Sequence, residues 1–246
     1  MKRLLNTLYV TGKNRYLSLD GENVVISDKQ EEIGRIPLHN LQGIVTFGYT
    51  GASPALMGAC AERNIELTFM SGNGRFLARV TGEVKGNVIL RKQQYRISEN
   101  PYESIRYARN FITGKVYNSR WILERAIRDY PMRVDTERLK EKSHFLYQSL
   151  ENIRSCEDSS ILLGLEGEAA SVYFSVFDEL ILQQKDSFYF HGRNKRPPLD
   201  RVNAMLSFAY SLLAGMCGSA LEGVGLDPYV GFYHADRPGR ISLALD

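Results

Sequence analysis

Gly82-Glu83-Val84-Lys85-Gly86 divides this chain of 246 residues into two textures. Two glycines bracket a short polar stretch, which reads as a connector. Before it, apolar residues come in short runs separated by turn residues. After it, they recur at helical spacing. Strands first and helices second is the order of an α+β fold. The expected architecture is a small N-terminal antiparallel β domain over residues 1–86 and an all-α domain over residues 87–246.

Working back from the connector, Ile65–Met70 and Arg75–Val80 flank Ser71-Gly72-Asn73-Gly74, whose Asn-Gly pair signals a hairpin. Tyr16–Leu19 and Val24–Ile26 flank Asp20-Gly21-Glu22-Asn23 in the same way, and Ile44–Phe47 is a further apolar strand. Between them Ser53 can cap a short helix that starts at Pro54 and runs through Ala55–Arg63. The Gly48–Gly51 stretch before it lacks the Lys-Ser/Thr ending of a Walker loop, which argues against a phosphate-loop reading. Working forward, four helices are expected over Tyr102–Asp129, Asp135–Arg154, Ser159–Ile181 and Asn203–Leu221.

Composition excludes several classes. An apolar share of 43% is ordinary for a folded domain. Residues 1–86 carry 10 Lys and Arg against 8 Asp and Glu, and the rest 21 against 20, so any nucleic-acid surface arises from local clustering. Cys60, Cys156 and Cys217 have neither disulfide-framework nor zinc spacing. That usage fits a reducing compartment, and with no secretion signal in the opening residues a cytoplasmic location is expected. Val202–Leu221 is free of charge and approaches the length of a membrane span, but polar residues dilute it. A buried core helix is expected there, with no membrane partner.

The chemistry concentrates in the second half. Advancing about 100° per residue from Leu162, Leu165, Ala169, Val172, Tyr173, Val176, Phe177 and Leu180 share one apolar stripe. Glu166 falls inside that stripe and Glu168 outside it. An inward carboxylate requires a cation or several donors, and a metal ion or a salt bridge meets that need equally. His234 lies beside the Pro238-Gly239 turn, where an imidazole can ligate metal, move protons or simply pack. His39, His144 and His191 show no metal spacing and read as structural. Ser242 is a candidate N-cap that would put Asp246 in the first turn of a new helix, where the helix dipole alone favours an acid. Arg193, Lys195, Arg196 and Arg201 crowd around Pro197-Pro198, and Arg237 and Arg240 flank the histidine turn. Guanidinium groups suit phosphate because they donate in a fork.

Taken together these segments resemble a known family. Leu162-Leu163-Gly164-Leu165-Glu166-Gly167, then Arg196 to Phe208, then Glu222 to His234, and finally Ser242-Leu243-Ala244-Leu245-Asp246 are similar, in that order, to four motifs of the universal CRISPR-associated integrase, Cas-one. Tyr16–Arg79 resembles the subtype with a short β domain ahead of the helices. The resemblance implies a DNA endonuclease and integrase that inserts short fragments into a repeat array by transesterification. It implies Mg2+ or Mn2+ held by Glu166, His234 and an acid. Asp246 matches the first acid of the family's last motif, and the second lies about one turn beyond the end of this sequence. An incomplete metal site is therefore expected, with Asp246 as ligand, neighbour or bystander.

The catalytic expectation rests on Glu166, His234 and Asp246, and the DNA-contact expectation on Arg237 and Arg240, then Arg193 and Arg196. The resemblance further implies a homodimer, formed through the β domain, bound to DNA and to the small partner Cas-two. The alternatives are a non-catalytic DNA-binding scaffold, a general structure-selective metal-dependent DNase, and a helical interaction module without nucleic acid.

Overall fold

The computed structural model describes residues 6–82 and 88–246, so most of the expected connector lies outside the described residues. The fold is α+β. The chain forms two compact units, Met1–Arg91 with Gly215–Leu226, and Lys92–Ala214 with Asp227–Asp246. The sequence reading divides at residue 86 and gives everything beyond to the helical part. Here the second unit begins at Lys92, and the end of one helix returns to the first.

The first unit contains β1 (Thr7–Thr11), β2 (Arg15–Asp20), β3 (Asn23–Asp28), β4 (Glu31–Pro37), β5 (Gly43–Phe47), β6 (Gly51–Ala52), α1 (Pro54–Glu62), β7 (Glu66–Met70) and β8 (Phe76–Val80). Two four-stranded sheets run β1-β5-β7-β8 and β4-β3-β2-β6. The hairpins at Gly21 and Gly74 form as expected, and these glycines take φ of +56° and +77°, a conformation L side chains adopt only with strain.

A purely antiparallel domain is corrected to mixed sheets. β5 pairs in parallel with both β1 and β7, and β2 with β6. The physical reason is the crossover. Parallel neighbours require a long connection between them, and α1 supplies it between β5 and β7. Ser53 caps α1 as expected, its hydroxyl accepting from the Leu56 amide at 3.2 Å, with Pro54 in the first position. Ile44 and Val45 on β5 are both buried, as befits a central strand covered on both faces. Val10, Leu17, Val24, Ile44, Leu56 and Leu67 join both sheets and α1 in one core.

Two helices straddle the division between units, α2 (Val88–Glu99) and, later, α6 (Arg201–Gly223). Within the first unit the α6 end is held by the Arg79 guanidinium. It pairs with Glu222 and donates to Ser219 Oγ at 3.4 Å, and Ser219 reaches Glu66 at 3.3 Å.

The second unit is built on α3 (Pro101–Asp129), α4 (Thr136–Ser155) and α5 (Ser159–Ser175). Asn100, Asp135 and Asp158 cap them, each carboxamide or carboxylate oxygen accepting first-turn amides. Ile105, Ala108, Ile112, Val116 and Leu123 make the buried stripe of α3, and pack with Leu139, Leu146, Leu150 and Leu162. The expected helix to Ile181 stops at Ser175. A 3-10 turn over Phe177–Leu180 follows, fixed by Phe177 against Phe190 at 4.9 Å and by Asp178 accepting the Phe190 amide at 2.8 Å.

The expectation of a buried core helix at Val202–Leu221 is also corrected. By length and composition α6 could cross a membrane, but only 6% of its most apolar window is buried. Met205, Tyr210 and Leu213 are each more than half exposed. Its apolar residues are spread around the axis, and only Val202, Asn203 and Gly218 are buried. Freedom from charge marks such a helix as apolar without saying which face is covered.

Candidate active site

All the groups that matter lie in the second unit. Glu166 projects from α5 on the stripe that faces the core, and its side chain is only 15% exposed, while Glu168 is exposed. Its Oε1 meets the ammonium of Lys115 on α3, and its Oε2 accepts from the Tyr233 hydroxyl at 2.7 Å. Burial pushes the Glu166 carboxyl upward, but the Lys115 and Tyr233 hydrogen bonds and the Lys115 charge outweigh it. The group is held below the usual carboxylate range and stays ionised. Burial, then the Glu166 bond, raise the Tyr233 hydroxyl, which therefore remains a donor.

The segment from Gly231 to Asp246 supplies the rest. The Asp246 side chain has no exposed surface. Its Oδ2 accepts the amides of Phe232 at 2.7 Å and Tyr233 at 3.1 Å. Its Oδ1 accepts the His234 amide at 2.9 Å and pairs with His234 Nδ1 at 2.7 Å. Burial opposes ionisation of Asp246, yet these His234, Phe232 and Tyr233 bonds lower it overall. An ionised carboxylate only accepts, so Nδ1 carries a proton toward Asp246, and Nε2 is the ring nitrogen that Asp246 does not engage. Phe232 packs against Tyr107 at 5.0 Å and anchors the turn from outside.

Ser242 does not cap the last helix. α7 (Ser242–Leu245) starts at Ser242 itself, Ile241 precedes it without a side-chain cap, and Asp246 stands at its C-terminal end. The Ser242 hydroxyl turns back to the Ala235 carbonyl at 3.4 Å, and the one-turn helix ends with Asp246 against the histidine loop.

The three expected catalytic residues thus fall into two roles by position. Glu166 is tied to the histidine loop through Tyr233, whose hydroxyl donates to Glu166 and whose ring lies 5.3 Å from that of His234. Asp246 stands behind the imidazole with both oxygens in use. Among the described residues no three His, Cys, Asp or Glu side chains gather as a ready metal cluster. The donor set still fits a hard divalent ion, because Glu166 already holds a cationic group, and Asp246 engages His234 through Nδ1, not through Nε2. Magnesium and manganese accept few protein ligands and fill the remainder with water and phosphate oxygens.

The four arginines separate similarly. Arg193 donates to the Asn194 carbonyl at 2.7 Å, Asn203 Oδ1 at 2.8 Å and Ser207 Oγ at 3.3 Å, and lies over the Tyr210 ring. It holds the approach to α6 in shape. Arg196 and Arg237 are exposed and Arg240 half-buried, in a turn closed by the Arg240 amide on the Arg237 carbonyl at 3.0 Å. Sequence reasoning missed Lys115 and Tyr233. A lysine between buried Ile112 and buried Val116, and a tyrosine adjoining His234, were the available signals.

The profile of the family described as CRISPR associated protein Cas1 matches residues 8–246. A protein of Chlorobaculum tepidum named CRISPR-associated endonuclease Cas1 1 is 50% identical over 246 residues, covering 100% of this chain and 72% of that protein. Among solved structures, a casposase bound to integration product aligns at TM-score 0.75 and 25% identity, over 98% of this chain and 68% of the other. A partial Cas6-RT-Cas1–Cas2 complex aligns at TM-score 0.66 and 22% identity, over 99% and 71%, a likeness of fold.

Proposed function

The chain belongs to the CRISPR associated protein Cas1 family, an endonuclease and integrase of spacer acquisition, and from that premise we propose that Glu166 and His234 form its metal-dependent strand-transfer centre. The substrate is short DNA, joined to a repeat array by transesterification. DNA and Cas2 are its partners, and a homodimer formed through the β-rich unit completes the reading.

Glu166 and His234 would hold a magnesium or manganese ion, which neutralises charge at the scissile phosphate and eases deprotonation of the attacking hydroxyl. The protein's own groups prepare the site. Tyr233, kept protonated, fixes the carboxylate through Oε2. Asp246 keeps the proton on Nδ1 and the ring aimed, the arrangement by which a carboxylate orients a ligating histidine. Arg237 and Arg240 flank the loop and suit the phosphates of the DNA backbone, with Arg196 on the neighbouring loop, whereas Arg193 is engaged in holding its own loop.

The observation that carries this reading is Glu166 meeting the Lys115 ammonium and the hydroxyl of Tyr233, which is next in the chain to an imidazole whose Nδ1 is taken by Asp246. Strand transfer and nicking of branched DNA with manganese test it. Glu166→Ala and His234→Ala should each lower the rate by at least ~100-fold, the loss typical when an electrostatic stabiliser is removed. Unchanged DNA binding should accompany that loss. Retained strand transfer in Glu166→Ala would overturn the assignment, and DNA binding without metal-dependent chemistry in the unaltered chain would favour a scaffold.

A further inference from the structure

We infer that Lys115 is a second working group of this centre, one that holds the cation position on Glu166 in the metal-free protein and passes to a substrate phosphate oxygen when a divalent ion arrives. The inference rests on the reading of Glu166 and His234 as the metal centre. Three observations carry it. Lys115 makes its ion pair with Oε1, the one Glu166 oxygen that Tyr233 leaves open. Lys115 is 51% exposed whereas Glu166 is 15% exposed, so the ammonium caps the carboxylate from the solvent side, the side from which a metal or DNA must approach. Its neighbours Ile112 and Val116 are buried and fix the α3 backbone there, while the four-carbon stem leaves the ammonium free to swing.

The electrostatics give the order of events. A divalent ion on Glu166 carries twice the charge of the ammonium and repels it. Lys115 then needs another anion within the reach of its stem. The phosphate oxygens of DNA drawn to the metal are the anions that reaction brings to that place. An ammonium donates three hydrogen bonds as a compact charge, which suits a non-bridging phosphate oxygen. Lys115 thus does two opposed things, weakening metal binding before DNA arrives and stabilising the phosphate afterwards.

The test uses the chain with Lys115→Met, which keeps the stem and removes the charge, and Lys115→Arg, which keeps the charge. Manganese binding without DNA is followed by the electron paramagnetic resonance signal of the free ion, and strand transfer is measured at saturating manganese. Lys115→Met should bind manganese about threefold tighter, the scale set by a half-exposed ion pair, yet transfer strands at least ~10-fold more slowly. Lys115→Arg should retain more of the rate than Lys115→Met. Affinity that stays equal or falls in Lys115→Met, or a rate equal to that of the unaltered chain at saturating metal, overturns the inference. Glu166→Ala separates the two readings. If it weakens manganese binding while Lys115→Met fails to tighten it, Lys115 alone is misassigned. If Glu166→Ala leaves manganese binding unchanged, the metal centre itself falls, and the role of Lys115 with it.

Discussion

Replacing Asp246 with asparagine changes one atom of the side chain and should disable the histidine loop. Each oxygen of the carboxylate accepts two bonds, Oδ2 from Phe232 and Tyr233 and Oδ1 twice from His234, at 2.7–3.1 Å. Whichever oxygen becomes an amide nitrogen, two donors then face a donor. Hydrogen bonds to a charged acceptor are worth about 1.5–3 kcal/mol each, and two of them fail together at a side chain with no exposed surface. A loss of about 3–5 kcal/mol should lower the melting temperature by roughly 10 °C, at about 2–4 °C per kcal/mol for a chain of this length. Calorimetry reads the first quantity. Nitrogen–proton correlation spectra of His234 read the second, because the proton should no longer be confined to Nδ1. The pH dependence has a definite sign. Asp246 is held below the value of an unfolded carboxylate, which lies at about 3.9. Its contribution is therefore complete above that pH and disappears as pH falls through the lower folded value. The gap between the two proteins should be constant in neutral buffer and close only in acid. An asparagine variant that melts within 2 °C of the original, with Nδ1 still protonated, would refute the argument (~2 °C being less than ~1 kcal/mol).

Two glycines should respond in opposite directions. A Cβ on Gly231 would lie 2.9 Å from Asp246 Oδ2 and from Ser242 Cβ, and 3.1 Å from the His234 carbonyl, so Gly231→Ala should cost about 1–3 kcal/mol and weaken manganese binding in the same titration. A Cβ on Gly164 meets nothing within 4 Å. Gly164→Ala should therefore stabilise α5 by about 0.5–1 kcal/mol, seen as a higher denaturant midpoint with an unchanged slope.

Local chemistry made much of this molecule legible. Ser53-Pro54 and Asn73-Gly74 announce a cap and a hairpin from their own residues, and each forms as read. The inward turn of Glu166 followed from its place among Leu162, Leu165 and Tyr173. What escaped depended on distant partners. β1 lies beside β5 although β2, β3 and β4 of the other sheet intervene in sequence, and no pattern within Thr7–Thr11 specifies that neighbour. α2 is mostly polar, so its helical spacing carries little apolar signal. α6 was misread because an apolar composition gives no direction of burial. In the site, Asp246 was legible as an acid, but its task of gathering three successive amides depends on the turn between Gly231 and Arg240. Lys115 was invisible because its partner lies 51 residues away on another helix.

The bonds from Asp246 reach back 12 to 14 residues, to a histidine that is synthesised first. A growing chain extends by about 5–20 residues per second. For about a second, then, a nascent chain carries His234 before the carboxylate that orients it has been made. During that interval the imidazole has no fixed proton and no fixed aim. The loop around His234 therefore closes only once Asp246 has been added, and a chain stopped before it leaves the histidine without the carboxylate that orients it.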